Sequence, residues 1–168
     1  MSNLVKRSDK VAFYGITTSQ QPGTVAYNRM VKFTDISTSK NPKEYARQYV
    51  DENFEQTDVV GYSPSVSYGF DQHTDNAVHT DIAMIHDNEL TGTQAVRSIL
   101  VVDFTKEGTA AGSFVARARD FAVIPDGEGD SMDAYTYSGT LKAKSDTIIG
   151  TATTIDGWVT CTFTPDAD

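Results

Sequence analysis

Between residues 11 and 164 the chain is a succession of short runs that alternate in polarity every second position, broken by clusters of Gly, Pro, Asn, Asp and Ser. A period of two marks a strand with two different faces, because successive side chains leave a strand on opposite sides. The runs fall at 11–17 (VAFYGIT), 25–33 (VAYNRMVKF), 94–105 (QAVRSILVVDFT), 113–125 (SFVARARDFAVIP), 135–144, 147–154 and 158–164. Asp156-Gly157 stands between the last two, and Asp-Gly between alternating runs favours a tight hairpin. One stretch breaks the rhythm. Ala77, Val78, Ile82, Ile85 and Leu90, widened by Ala83 and Met84, recur at helical spacing. A helix is therefore expected over about 76–90, capped by Thr74 or Asp75 and stopped near Asn88 and Gly92. One helix among roughly seven to nine strands leaves no βαβ rhythm. The expected fold is mostly β, an antiparallel β-sandwich or split barrel with one flanking α-helix.

Residues 43–72 (KEYARQYVDENFEQTDVVGYSPSVSYGFDQ) fit the alternation without supplying a core face. In 43–52, Lys43, Tyr45, Arg47, Tyr49 and Asp51 share one side, and Glu44, Ala46, Gln48, Val50 and Glu52 the other. The helix formers here, after Asn41-Pro42, also permit a helix; a strand is preferred because Tyr45, Tyr49 and Val50 form no wide apolar stripe. In 63–72, Ser63, Ser65, Ser67 and Gly69 oppose Val66, Tyr68 and Phe70. Two such strands joined by an acidic connection at 53–64 suit a surface with water on one side and another subunit on the other. Residues 34–42 (TDISTSKNP) read as a loop and 18–24 (TSQQPGT) as a turn.

Charge is uneven. Residues 1–50 hold eight Lys and Arg against three Asp and Glu, whereas 51–168 hold six against twenty, so +5 and −14 sum to the formal net charge of −9. Such a chain will not grip nucleic-acid phosphates over most of its surface. Opposite charge at two ends favours head-to-tail contact between copies. The 168 residues suffice for one domain over 1–168, with residues 1–10 a polar N-terminal arm and 165–168 an acidic tail. No run is long enough to span a membrane, residues 1–10 lack the apolar segment of a secretory signal, and the single cysteine, Cys161, excludes an internal disulfide.

No residue pattern asks for catalysis. His79 and His86 lie about 10 Å apart along a helix, too far to share a metal directly, and read as surface histidines with His73. The loop at 126–133 (DGEGDSMD) alternates acids but lacks the glycine and the terminal glutamate of an EF-hand. No cofactor is expected. Two other functions stand beside a structural one. The first is a non-enzymatic β-sandwich binding or decoration module of a virion, using exposed Tyr62, Tyr68 and Trp158. The second is a hydrolase with an acid pair that no motif nominates.

The segments KNPKEYARQYVDENFEQTDVVGYSPSVSYGFDQHTDNAVH, RSILVVDFTKEGT, VARARDFAVIPDGEGDSMDAYTYSGTLKAKSD and the terminal TFTP, preceded by VKRSDKVAFYG, together resemble the major tail proteins, or tail tube proteins, of bacteriophages and prophages of Gram-positive bacteria. The resemblance implies a subunit of hexameric rings that stack into a hollow tube, made in the host cytoplasm and placed in the virion tail. It implies partners: further copies of the chain, the tape-measure, terminator and distal tail proteins, and DNA in transient passage without sticking. Membranes are not among them. Six copies would carry 6 × −9 = −54 formal charges, which suggests an acidic lumen. Lumen-lining candidates are Glu44, Gln48, Glu52, Ser65 and Ser67. Candidates for contacts between subunits or rings are Lys6, Arg7, Lys10, Asp58, Tyr62, Arg117 and Arg119, with residues 1–10 and the 53–64 connection as bridging arms.

Overall fold

A computed structural model describes residues 2–17 and 25–166; the turn expected at 18–24 and the last residues of the acidic tail lie outside the described residues. The strands are β1 (Lys10–Thr17), β2 (Val25–Arg29), β3 (Phe33–Ser39), β4 (Pro42–Arg47), β5 (Gln56–Tyr62), β6 (Ser65–Asp71), β7 (Val96–Glu107), β8 (Phe114–Glu128), β9 (Thr136–Ala143), β10 (Ile148–Thr153) and β11 (Thr160–Pro165). Helix α1 spans Ala77–Asp87, and short 3-10 turns precede β1 and β7. The fold is a closed six-stranded antiparallel barrel with added strands and one flanking helix, as the alternation predicts.

The barrel runs β10-β11-β2-β1-β7-β8, and β8 closes it by pairing back onto β10. From β8 the sheet continues outward as β9-β6-β3. The fifteen-residue β8 serves both parts: Phe114–Ala118 pair with β10, and Phe121–Glu128 pair with β9. Its buried side changes along its length. Ala116 and Ala118 point into the barrel with Phe13, Leu100 and Val102, while Phe121 and Val123 point away from it, into a second core with Tyr14, Ile99, Tyr68, Phe70 and Leu141. Strands β1, β7 and β8 thus contribute buried apolar side chains to both cores. The second core is roofed by Val78, Ile82, Ala83 and Ile85 of α1.

Several boundaries correct the sequence reading. Residues 34–42, expected to be a loop, contain most of β3; the polar side chains that suggested turns lie on an edge strand and face solvent. The strand expected at 25–33 ends at Arg29. The strand expected at 43–52 ends at Arg47 and pairs with β5, which lies inside the supposed connection at 53–64. The run at 63–72 instead pairs with β3 and β9. The cap of α1 is Asn76, whose Oδ1 accepts from the N–H groups of Val78 and His79 at 3.1 and 3.2 Å.

Close approach fixes one glycine. A Cβ on Gly139 would lie 2.5 Å from the Ile124 carbonyl oxygen and 2.5 Å from the Tyr68 hydroxyl. The first contact is backbone and the second a buried ring, so neither can yield cheaply. Gly139→Ala is expected to cost about 1–3 kcal/mol, read as a lower urea midpoint with an unchanged slope.

Candidate functional site

Two surfaces stand out among the described residues. The first is the outward face of the four-stranded sheet β8-β9-β6-β3. Tyr68, Phe70, Tyr137 and Leu141 occupy its inner face, so their neighbours in sequence must occupy the outer one. The register sets these in rows across the strands: Ser37, Ser67, Thr140 and Ile124; Ser39, Ser65, Lys142 and Ala122; Asp35, Gly69, Ser138 and Gly127; and Asp71 with Thr136. The face is therefore mostly hydroxyl. Its charged groups are Asp35, Asp71 and Lys142, a net −1, weaker than the acidic surface suggested by whole-chain charge.

This sheet ends in two free edges among the described residues. Strand β3 pairs with β6 alone. At the other side, β7 stops opposite Ala122, and β8 beyond it pairs only with β9. Unpaired N–H and C=O groups on an exposed edge are a template for another strand. Each edge carries an irregularity: the register shifts between Phe33 and Asp35 on β3, and between Pro125 and Gly127 on β8.

The second surface is the arm formed by β4 and β5, a separate two-stranded sheet that extends the β3–β6 hairpin. A bend at Asn41, which takes a φ of 46°, separates the two. The Asn41 side-chain amide donates to the Ser63 carbonyl at 3.1 Å and to Ser65 Oγ at 3.2 Å, holding the root. Near the tip, Gln56 Nε2 donates to both carboxylate oxygens of Glu52 at 2.9 and 2.7 Å. No residue of β4 or β5 is buried. Tyr45, Tyr49, Val59, Val60 and Tyr62 are exposed, as are Val50 (108%) and Phe54 (64%) at the tip. An isolated hairpin is marginal in water, and large apolar side chains left exposed on one are unpartnered within the chain.

The candidate residues separate accordingly. Ser65 and Ser67 lie on the hydroxyl face, whereas Glu44, Gln48 and Glu52 lie on the arm; the fold does not bring the two groups onto one surface. Asp58 and Tyr62 are exposed on β5. Lys6 and Arg7 are exposed before β1, where the Lys6 backbone N–H donates to Asp9 Oδ2 at 2.7 Å and Arg7 Nη1 donates to the Lys10 carbonyl at 2.6 Å. Lys10 is 3.9 Å from Asp103. Arg117 is exposed; Arg119 is half-buried with its Nε sequestered and unpaired. The aromatic patch proposed for a binding module does not form. Tyr68 is in the core, and Trp158 packs edge-on against Phe13, Phe104 and Phe114.

The titratable groups around α1 are structural, and sequence reading missed them. His79 and His86, expected at the surface, are buried. His79 stacks on Phe70, its Nδ1 accepts from the His73 N–H at 3.1 Å, and its Nε2 is 3.2 Å from the Val31 carbonyl. His86 Nε2 lies 2.7 Å from the Tyr68 hydroxyl. Burial lowers the pKa of both below the usual 6.5. A histidine whose folded pKa is lowered binds its proton more readily when unfolded. Stability should therefore be full above pH 6.5, fall as the pH drops below it, and level off below the folded values. Imidazole proton shifts against pH will check this: both residues should titrate below 6.5. Burial also pushes the Cys161 thiol up to about 12, consistent with an inert packed side chain.

Among the described residues no helix is long and apolar enough to cross a membrane. No protein-family profile matches the chain, and no curated protein matches it. Two solved assemblies are similar in fold. One is the tail of an empty gene transfer agent (GTA) particle, computed with helical refinement and C6 symmetry; it shares 12% identity over 86% of this chain and 97% of its own, with a TM-score of 0.57. The other is the six-fold symmetrised baseplate of the anti-feeding prophage, at 9% identity over 89% of this chain and 97% of its own, with a TM-score of 0.49.

Proposed function

We propose that this chain is a structural subunit of a phage-type tail tube, assembling as stacked rings of six around a channel that conducts DNA. The observation that carries this is the four-stranded sheet with a hydroxyl face and two open edges. Joining β3 of one copy to residues 123–128 of β8 in the next continues the sheet. Because the two edges differ, the contact is head-to-tail, and repeated rotation closes it into a ring. The sheet's hydroxyl face then lines the channel, and the barrel and α1 stand outside it. The sequence resemblance supports this reading, and so does the tail origin of the GTA structure that shares the fold; its C6 symmetry supports six copies.

The lumen of such a ring is hydroxyl-lined and faintly negative. Phosphates meet no array of Lys or Arg to displace their counterions, so DNA slides without being held. Glu44, Gln48, Glu52, Asp58 and Tyr62 belong to the arm, which reaches a neighbouring ring. Lys6, Arg7, Lys10, Arg117 and Arg119 supply cations for contacts between copies. The chain thus resides in the virion tail and meets the tape-measure, terminator and distal tail proteins at the ends or inside of the tube.

DNA retention tests the lumen. Assembled wild-type tubes should not retain linear duplex DNA. Tubes of the Ser67→Lys, Thr140→Lys double variant should assemble normally and retain it at low salt, releasing it as salt rises. Unchanged retention in normally assembled variant tubes would remove the hydroxyl face from the lumen.

A further inference from the structure

Between the β1–β7 wall and the β3–β6 hairpin the second core opens into a groove, made of two adjoining cavities of about 320 and 300 Å³. Its floor is apolar, with Val66, Ile99 and Val101 shared by both cavities. Its rim is basic: Lys10 lines both cavities, Arg7 the first, and Lys40, Arg117 and Arg119 the second. One carboxylate, Asp103, faces this rim. It is committed to Thr105, whose N–H and hydroxyl it accepts at 3.0 and 2.5 Å, and to Lys10. Among the described residues Arg119 has no ion pair, and its buried Nε has no hydrogen-bond partner. A sequestered guanidinium nitrogen without an acceptor leaves its desolvation cost uncompensated. The groove thus lacks an anion and an apolar filling at the same place.

We propose that this groove receives the arm tip of a second copy, its cations binding the tip carboxylates. The tip carries Asp51, Glu52, Glu55 and Asp58, and no Lys or Arg lies between residues 48 and 58. Interleaved with these acids are the exposed apolar side chains Val50 and Phe54. Acids alternating with apolar groups match a basic rim above an apolar floor. The groove's own arm cannot fill it. Lys40 and Pro64 line the groove and also form the arm's root, and an extended strand rises about 3.3 Å per residue, placing the tip about 25 Å away. Negative tip and positive root on one element make an open-ended head-to-tail contact, suited to stacking rings. This inference rests on the tail-tube reading and adds the receiving site to it.

A cysteine pair tests the contact at positions outside both hydrophobic cores. In E52C/K40C the two sulfurs are too far apart within a chain to bridge, and Cys161 is buried. Assembled under oxidising conditions, the double variant should give a ladder of covalent multimers on a non-reducing gel, absent from either single variant. In parallel, Arg117→Glu with Arg119→Gln should raise the concentration needed for polymer growth by about tenfold or more. Polymers that form normally without a ladder, or are indifferent to the arginine substitutions, would overturn the groove contact and leave the tail-tube reading standing. A wild-type chain that never polymerises would overturn both. Retention of duplex DNA by wild-type monomer, lost on Arg117→Glu, would reassign the groove to phosphate and also overturn the proposal.

Discussion

Excising residues 42–62 and joining Asn41 to Ser63 through a short Gly linker is expected to leave a folded monomer and abolish tube formation. No arm residue belongs to either hydrophobic core. The strands on either side, β3 and β6, pair with each other independently of β4 and β5. Loop-closure entropy changes only slowly with length, so unfolding free energy should stay within about 1 kcal/mol of the parent. The excision removes the apolar side chains Val50, Phe54, Val59 and Val60, which the monomer leaves in water and which the proposed assembly would cover. Light scattering and electron micrographs of parent and variant, at matched concentration, will report the loss. A variant that polymerises like the parent would mean that edge pairing alone suffices.

Asp81→Ala should have the largest effect on stability, about 3–5 kcal/mol, since it leaves a buried cation alone. Asp81 accepts from the Tyr14 hydroxyl at 2.5 Å and from Arg97 Nε at 2.8 Å. Its side chain is 10% exposed and that of Arg97 11%. The three groups join α1 to β1 and β7, so their loss loosens the helix over the second core. Burial, then the neighbouring Asp81, holds the Tyr14 hydroxyl far above the usual phenol range, so it remains a proton donor at every working pH. Against a total of about 5–15 kcal/mol for a domain of this kind, the variant should be largely unfolded under mild heating. A urea titration decides the matter; a change below about 1 kcal/mol would show that the triad is dispensable.

The fold class was legible because alternation and spacing are local properties. Ile82 and Ile85 announce a helix on their own, and Asp156-Gly157 announces a hairpin, which β10 and β11 form. Pairing was less legible, because it is a relation between distant segments. Residues 43–52 and 63–72 look like partners when the strand between them is hidden in acidic and polar residues; in the fold β5 takes the first, and β3 and β9 take the second. The face change of β8 was hidden for another reason. Ala116 and Ala118 face one core and Phe121 and Val123 the other, so the strand reads as mixed on both sides. The histidines on α1 were misplaced because polar groups on a helix suggest solvent, and nothing local reveals Phe70 or Tyr68 above them. The site was legible in part. Ser65 and Ser67 declare a polar face by their alternation with Val66 and Tyr68, but the contributions of β3 and β9 depend on register. The free edge of β8 follows from where β7 stops, which no single segment records.

A reconstruction of the assembled particle by electron cryomicroscopy will show which strand edges join and which face lines the channel. Rings are expected in which β3 of each copy is hydrogen-bonded to residues 123–128 of its neighbour, with Ser37, Ser67 and Thr140 facing an open channel. Rings with that face turned outward, or a chain that stays monomeric at the highest attainable concentration, would contradict the proposed arrangement.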